Sequence, residues 1–317
     1  FVALGAYPLL LGSAFLAYTF GLRHAVDADH IAAIDNVTRK LMQEGKRPVN
    51  VGFFFALGHS SVVIIMSICV AATAGALKSR FSAFQEVGGV ISTLVSASFL
   101  LLLAFLNIVV LVQIYKTFVR VRKTGRYDED DINVHLAKGG LLARIYRPLF
   151  GLIRHGWQMI PLGFLFGLGF DTSTEVALLG MSASQAQQGI SFAAIMVFPA
   201  LFTVGMVLID TTDGVLMLGA YQWAFVTPLR KLYYNMTITG VSVIVALLIG
   251  GIETLGLIGD HYSFTGTFWE GIGTLNDHFN TIGFCIIGIF ISAWIFSFLF
   301  YRWNKFDEIV VEPMSNQ

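Results

Sequence analysis

The sequence predicts an all-α polytopic membrane protein with about eight transmembrane helices and both termini in the cytoplasm. Of its 317 residues, 56% are hydrophobic and only 13% are charged, whereas a soluble domain has about 25% charged residues. Apolar segments of about 20 residues, long enough to cross the hydrocarbon core of a bilayer, recur along the whole chain. Basic residues are concentrated in a few stretches between these segments.

The predicted spans differ in polarity. The second is the shortest and most polar, so we expect neighbouring helices to shield it from lipid and part of it to be unwound. The first span has neither a basic start nor a small-residue cleavage site, which predicts a membrane helix and not a signal peptide. Because the chain begins with Phe1, we expect further sequence to precede it. The approximate limits are 1–21, 22–38, 50–75, 86–115, 157–182, 190–219, 233–258 and 281–302.

Lysine and arginine predict the orientation of the chain. Most of the 20 basic residues fall in residues 39–47, 116–154 and 220–232 and in the C-terminal tail. In the eight-span arrangement these stretches all lie on the same side of the membrane. The positive-inside rule makes that side cytoplasmic, so both termini are predicted to be cytoplasmic. Residues 116–156 then form a long cytoplasmic loop between spans four and five.

The segment Leu22–Asn36, with the sequence LRHAVDADHIAAIDN, is the most unusual part of the chain. A charged side chain at membrane depth costs about 2.5–3.5 kcal/mol, so such residues mark an ion or substrate path. On an ideal helix His24, Asp27 and His30 share one face, whereas Asp29 points elsewhere. Imidazole and carboxylate donors together suit divalent transition metals such as Ni, Co or Zn. The alternative is a buried polar network that only fixes helix packing.

Polar residues also interrupt spans three, five and six. His59 lies in LGHSSVV, where a hydrogen bond to a neighbouring helix is an equal alternative to metal binding. Asp171 and Glu175 are four residues apart, and Asp210 and Asp213 are three apart. Carboxylates on one helix face repel each other unless a cation or proton lies between them. The candidate metal ligands are therefore His24, Asp27, Asp29, His30, His59, Asp171 and Glu175.

The remaining buried charges are candidates for orienting a ligand or relaying ions. We expect Arg23, the one obvious buried base, to pair with a carboxylate and keep the site from holding its ion too tightly. Glu253, near the end of span seven, is expected at the surface. The loop 259–280 is acidic and contains histidines, which fits an ordinary polar loop or, less commonly, a vestibule that captures cations. The relay candidates are Arg23, Asp35, Asp210 and Asp213.

Four motifs resemble those of the nickel/cobalt transporter (NiCoT) family of permeases, which includes high-affinity nickel permeases. The resemblance covers essentially the whole chain, because the motifs occur in the family's order. The family's His-x4-Asp-His pattern, here His24, Asp29 and His30, is regarded as essential for metal recognition. Unwinding of this segment, or a role for Asp29 in orienting a histidine, would reconcile Asp29 with that pattern. The motifs are RHAVDADHI, LGHSSVV, LGFDTSTE and GMVLIDTTDG.

The resemblance implies a single permease domain over residues 1–317, multi-pass in the cell membrane, that takes up Ni²⁺ with high affinity. Co²⁺ is implied as a possible second substrate, and no enzyme activity or cofactor is expected. The chain has no GxxxxGK[ST] motif, so no ATP site is predicted, and nothing indicates a nucleic-acid partner. Inward movement of a dication gains about 2 × 2.3 kcal/mol per 100 mV of membrane potential.

Two other functions are compatible with buried metal ligands. A membrane-embedded metal-binding subunit or sensor of a larger complex would bind the ion without moving it. A membrane metalloenzyme is less favoured, because the chain lacks an HExxH segment and the histidine clusters such sites use. Cys69 and Cys285 lie in apolar runs without CxxC spacing, which argues against a thiolate site. The sequence does not decide between Ni²⁺ and Co²⁺, nor the oligomeric state.

Overall fold

A computed structural model of the chain describes residues 10–73, 78–127, 153–168, 173–224, 228–304, 306 and 312–313. Their regular structure is almost entirely α-helical, so the all-α fold class is confirmed. A 3₁₀ turn at Gly156–Gln158 precedes α5, and strand β1 (Arg126–Tyr127) pairs in parallel with β2 (Glu312–Pro313). The helices are α1 Leu10–His24, α2 Ala28–Gln43, α3 Val51–Thr73, α4 Lys78–Thr124, α5 Met159–Phe166, α6 Ser173–Gln187, α7 Phe192–Ile195, α8 Val197–Ala224, α9 Pro228–His261, α10 Thr267–Asp277 and α11 Phe279–Trp303.

Within the described residues, five helical segments are long and apolar enough to cross a membrane, which agrees with a multi-pass membrane protein. They correspond to predicted spans three, four, six, seven and eight. Large apolar side chains such as Phe15, Phe296 and Trp303 are exposed on the outside of the bundle, as expected for lipid contact. The five segments are Val51–Ala71, Val87–Thr124, Phe192–Gly219, Leu232–His261 and Thr281–Trp303.

The polar segment of predicted span two is interrupted. Helix α1 ends at His24 and α2 begins at Ala28. Asp27 has an extended backbone, with φ −64° and ψ 145°. The prediction that one helix carries His24, Asp27 and His30 on a single face was therefore wrong, because the two histidines lie on different helices. The expected unwinding is confirmed.

Backbone amides at the interruption form hydrogen bonds, as a chain at membrane depth requires. The amide of Val26 donates to the carbonyl of Arg23 over 3.2 Å, and that of Asp27 to the carbonyl of His24 over 3.0 Å. Gly283 of α11 lies against the carbonyl of Val26, where a Cβ atom would overlap the oxygen. Helix α2 is also shielded as expected, since residues 30–41 are all buried.

Predicted span five is interrupted as well. Helix α5 ends at Phe166 and α6 begins at Ser173. Glu175 lies in the first turn of α6, so its position is defined by the structure. Asp171 lies outside the described residues, and its predicted place on one face with Glu175 stays a prediction.

Two buried cations at the end of α2 were not expected. Residues 39–47 were predicted to form a loop, but α2 continues to Gln43, and Arg39 is only 1% exposed. The Arg39 guanidinium donates to Asn36, to Asn107 of α4 and to Thr239 of α9. Lys40 donates to the carbonyl of Ile153 over 2.5 Å. The expectation that Arg23 is the one buried base was wrong, because Arg23 is exposed and Arg39 is buried.

Helix α8 packs on α1, α2 and α3, and α3 packs on α5. Glycines permit the α3–α5 crossing. A Cβ atom on Gly58 would overlap the carbonyl oxygen of Ile160, and one on Gly163 would overlap that of Phe55. Because small residues let helix backbones approach closely, this crossing fixes the segment of α3 that carries His59.

The effect of a glycine-to-alanine substitution on stability should depend on whether the glycine lies at the α3–α5 crossing. Gly163→Ala is expected to lower the stability of the purified protein by about 1–3 kcal/mol, because the new methyl group overlaps backbone that cannot rotate away. Gly180→Ala in α6 is the control, since a Cβ there meets nothing within 4 Å. Alanine raises helix propensity by up to about 1 kcal/mol, so the control should keep or raise stability. Thermal unfolding in detergent measures both, and equal effects would contradict the packing argument.

Candidate metal centre

Three histidines from three helices converge in the interior. His24 ends α1, His30 lies in the first turn of α2, and His59 lies in the middle of α3. They are 2%, 1% and 3% exposed, respectively. One nitrogen of each ring lies within 4.8 Å of the others, so a single metal ion fits between them. All three are among the predicted metal ligands.

Glu175 of α6 completes the group with a carboxylate. Its Oε1 atom lies 3.1 Å from Nε2 of His59 and 3.8 Å from Nε2 of His24. The two Nε2 atoms are 2.9 Å apart. With metal–donor bonds of about 2.1 Å, adjacent donors on a six-coordinate ion are about 3.0 Å apart. Two of these three distances are close to that value, and the third, between Glu175 and His24, is longer.

Two further carboxylates contact the other nitrogens of the rings. Asp27 Oδ2 lies 3.3 Å from Nδ1 of His24, and Thr174 Oγ1 lies 3.4 Å from the same atom. Asp210 Oδ2 lies 3.5 Å from Nδ1 of His30. A carboxylate beside the second nitrogen of a ligating histidine fixes the ring's orientation and raises its basicity. Asp27 and Asp210 are placed for this role more directly than for binding an ion between the histidines.

Aromatic rings form the apolar wall of the site. Phe55 packs edge-on against His30 with ring centroids 4.9 Å apart, and Phe202 packs against His24 at 5.5 Å. Both phenylalanines are fully buried. They hold the imidazoles in place and exclude water. Sequence reasoning did not identify them, because the chain contains 28 phenylalanines and most of the predicted spans carry several.

The other predicted residues lie around this group. Asp29 is half-buried in the first turn of α2 and is not among the converging histidine donors. Asp35 is fully buried and accepts a hydrogen bond of 2.6 Å from Ser242 of α9. Asp213 lies one helical turn beyond Asp210 on α8. Of the relay candidates, Asp210 contacts a histidine, whereas the printed partner of Asp35 is Ser242.

A cavity of about 670 Å³ extends from beside His24 to the segment between α9 and α11. At one end it is lined by Asp27 and Thr174, which both contact His24, and at the other by Asp260 and Asp277. Arg23 also lines it. The cavity therefore has an acidic lining at both ends, and the capture vestibule stays a prediction.

Glu253 also lines this cavity, and its predicted surface position was wrong. It is 4% exposed and accepts hydrogen bonds from Ser96 of α4 over 2.8 and 3.0 Å. Its place near the end of a span suggested solvent exposure. Helix α9 continues to His261, however, so Glu253 lies two turns inside the helix.

A family model described as "High-affinity nickel-transport protein" matches residues 10–300. The chain belongs to this family. It is 57% identical over 302 residues to the "High-affinity nickel transport protein" of Cupriavidus necator, an alignment that covers 95% of this chain and 86% of that protein. The NiCoT resemblance carried by the four motifs is thereby confirmed.

Two further proteins named for metal transport are similar to the chain. The nickel transporter NixA of Staphylococcus aureus is 46% identical, with 95% of this chain and 88% of that protein covered. The cobalt transport protein NhlF of Rhodococcus rhodochrous is 40% identical, with 92% and 83% covered. No solved structure matches the chain.

The contact of Asp27 with His24 predicts an effect on metal affinity. Asp27→Asn keeps the size of the side chain but removes the charge that orients and polarises the imidazole, so Ni²⁺ should bind about 10- to 100-fold more weakly. Glu270→Gln is the control, because Glu270 is exposed on α10 and does not line the cavity. Titration calorimetry of the purified variants measures both affinities. Unchanged affinity in Asp27→Asn would show that the carboxylate does not support His24.

Proposed function

We propose that the chain takes up Ni²⁺, with Co²⁺ as a second substrate, through a site formed by His24, His30, His59 and Glu175. The observation that carries the proposal is the convergence of three buried imidazoles and one carboxylate from α1, α2, α3 and α6. It is supported by membership of a nickel-transport family, in which similar proteins are named for nickel and, in one case, for cobalt.

The donor set suits a borderline divalent ion. Three imidazoles favour nickel, cobalt or zinc over magnesium and calcium, and the absence of sulfur among these four residues disfavours Cu(I). Because affinity across these metals follows nearly the same order at any such site, selectivity must come from geometry and the number of donors. Four protein donors leave further positions of a six-coordinate ion for water.

The transport path follows from the predicted topology. In our proposal α1, α2 and the pair α5 and α6 supply three spans in addition to the five apolar segments, which gives eight spans and cytoplasmic termini. Residues 1–317 form one permease domain in the cytoplasmic membrane, with residues 116–156 as a cytoplasmic loop. The distribution of lysine and arginine supports this orientation. The membrane potential then favours inward movement of a dication.

The acidic cavity is the outer route to the site. A hydrated cation would be attracted by Asp260 and Asp277 and reach His24 past Asp27. Arg23 on the same wall places one positive charge near four carboxylates, which limits how tightly the cavity retains a cation. The cavity thus concentrates the ion without becoming its final binding site.

Uptake by cells tests the proposal. Cells that express the chain should accumulate radioactive ⁶³Ni²⁺ from nanomolar concentrations, and His24→Ala at the same membrane level should reduce accumulation to background, because two of the shortest donor contacts involve this ring. His261→Ala is the matched control, since His261 is exposed at the end of α9 and does not line the cavity. Competition by Co²⁺ and Zn²⁺ ranks the substrates.

Two outcomes of the uptake experiment would overturn the proposal. Metal bound to the purified chain without accumulation in cells would indicate a metal-binding subunit or sensor. Full uptake by His24→Ala would place the site elsewhere.

Asp260 and Asp277 form the acidic mouth of the cavity, which predicts an effect of salt on Ni²⁺ uptake. Replacing Asp260 and Asp277 together by asparagine should raise the Ni²⁺ concentration for half-maximal uptake about 2- to 10-fold, because the mouth attracts cations less strongly. The maximal rate should change little, since neither residue contacts the histidines. The difference should shrink as ionic strength rises, because screening shortens the reach of exposed charges. A lower maximal rate at unchanged half-saturation would contradict this role.

A further inference from the structure

Helix α10 joins two apolar segments that are long enough to cross a membrane. It follows Leu232–His261 and precedes Thr281–Trp303. Its 11 residues are too few to cross a bilayer themselves, since a helical span needs about 20. Residues 262–266 join it to α9, and a single residue, His278, separates it from α11. With connections this short, α10 must lie where the two apolar segments leave the membrane.

One side of α10 packs on α9 and covers the cavity. A Cβ atom on Gly259 of α9 would lie 2.9 Å from the ring of Trp269, and one on Gly256 would overlap the side-chain amide of Asn276. Ile272, which is buried, lies on the same side of the helix. These three side chains of α10 also line the cavity of about 670 Å³. Helix α10 therefore forms part of the cavity wall.

A second side of α10 is apolar and exposed. Phe268 and Leu275 are seven residues apart, so they lie within about 20° of each other around the helix. Their exposed fractions are 61% and 41%. Glu270 and Thr274 are exposed on the opposite side. The helix thus carries an apolar strip, formed by Phe268 and Leu275, and a polar side that faces away from it.

The chain just before α10 adds two exposed aromatic rings. Tyr262 is 64% exposed and Phe264 is 48% exposed. Phe264 packs on Trp269 with ring centroids 4.9 Å apart, and Phe268 packs on the same indole at 5.2 Å. Aromatic side chains concentrate at the boundary between lipid and water. A short helix at this depth with one apolar and one polar side matches a helix that lies in the lipid interface.

We propose that Phe268 and Leu275 anchor α10 in the lipid interface and thereby hold the cavity wall in place. Residues 262–277 contain neither lysine nor arginine, so apolar burial carries the anchor and anionic lipids are not required. One helix carries both the apolar strip and the wall, so contact with lipid restrains the wall. Asp277, at the mouth of the cavity, ends the same helix. Its effect on uptake rests on the proposed function, whereas the lipid contact does not.

Spin labels test the anchor in a chain whose two cysteines are replaced by alanine. Phe268→Cys and Leu275→Cys carry a nitroxide on the apolar strip, and Glu270→Cys and Thr274→Cys are the matched controls. The labelled chains are placed in phosphatidylcholine vesicles. Accessibility to O₂, which enters lipid, is divided by accessibility to chromium oxalate, which stays in water. This ratio should be about threefold higher on the strip, because the apolar side of an interfacial helix lies about 5–10 Å below the headgroups.

Two results of the labelling would overturn the anchor. Equal ratios at the four positions would show that the strip does not enter lipid. Low accessibility of the strip to both reagents would show that a protein, such as a second copy of the chain, covers it. If the cysteine-free chain does not fold, Phe268→Trp and Thr274→Trp provide the measurement. Brominated lipids should quench the fluorescence that Phe268→Trp adds, and iodide in water should quench that of Thr274→Trp.

Uptake tests the link between the anchor and the cavity. Phe268→Ser should raise the Ni²⁺ concentration for half-maximal uptake about twofold, because Asp277 is then held less firmly at the mouth. Thr274→Ser on the polar side is the control and should leave it unchanged. Equal uptake by both variants would overturn the link. Lipid contact of the strip without any Ni²⁺ uptake by the unchanged chain would support the anchor and overturn the proposed function.

Discussion

The break between α1 and α2 is the constraint on which the site depends. On a continuous helix, residues six apart are separated by about 9 Å along the axis and about 120° around it, so His24 and His30 could not share one ion. The turn at Ala25–Asp27 brings their ring centroids to 4.9 Å. A membrane tolerates such a break only where its backbone groups are satisfied. The local hydrogen bonds and the contact of Gly283 with Val26 meet that condition.

The other helices position donors relative to this break. Close glycine contacts between α3 and α5 fix His59, and α6 begins just before Glu175. Each donor therefore sits on a separate helix, and small relative movements of these helices change the donor spacing.

The sequence predicted the fold class, the unwound segment and the convergence of histidines, because charged residues at membrane depth are so costly that their positions are informative. It did not predict which residues face each other across helices. Glu253 and Arg39 were assigned to surfaces because they lie near the ends of hydropathy windows, whereas α9 and α2 extend beyond those windows. Phe55 and Phe202 gave no signal, since aromatic residues occur throughout the chain. Such contacts depend on helix rotation, which hydropathy does not encode.

The charged residues of α2 change sign along the helix. Asp29, His30 and Asp35 lie in its first half, and Arg39 lies one turn beyond Asp35. The Arg39 guanidinium is buried and is hydrogen-bonded to the neutral side chains of Asn36, Asn107 and Thr239. A fixed positive charge in a low-dielectric interior repels a dication strongly. In the proposed transport, a cation that moves along α2 past Asp35 therefore meets this repulsion.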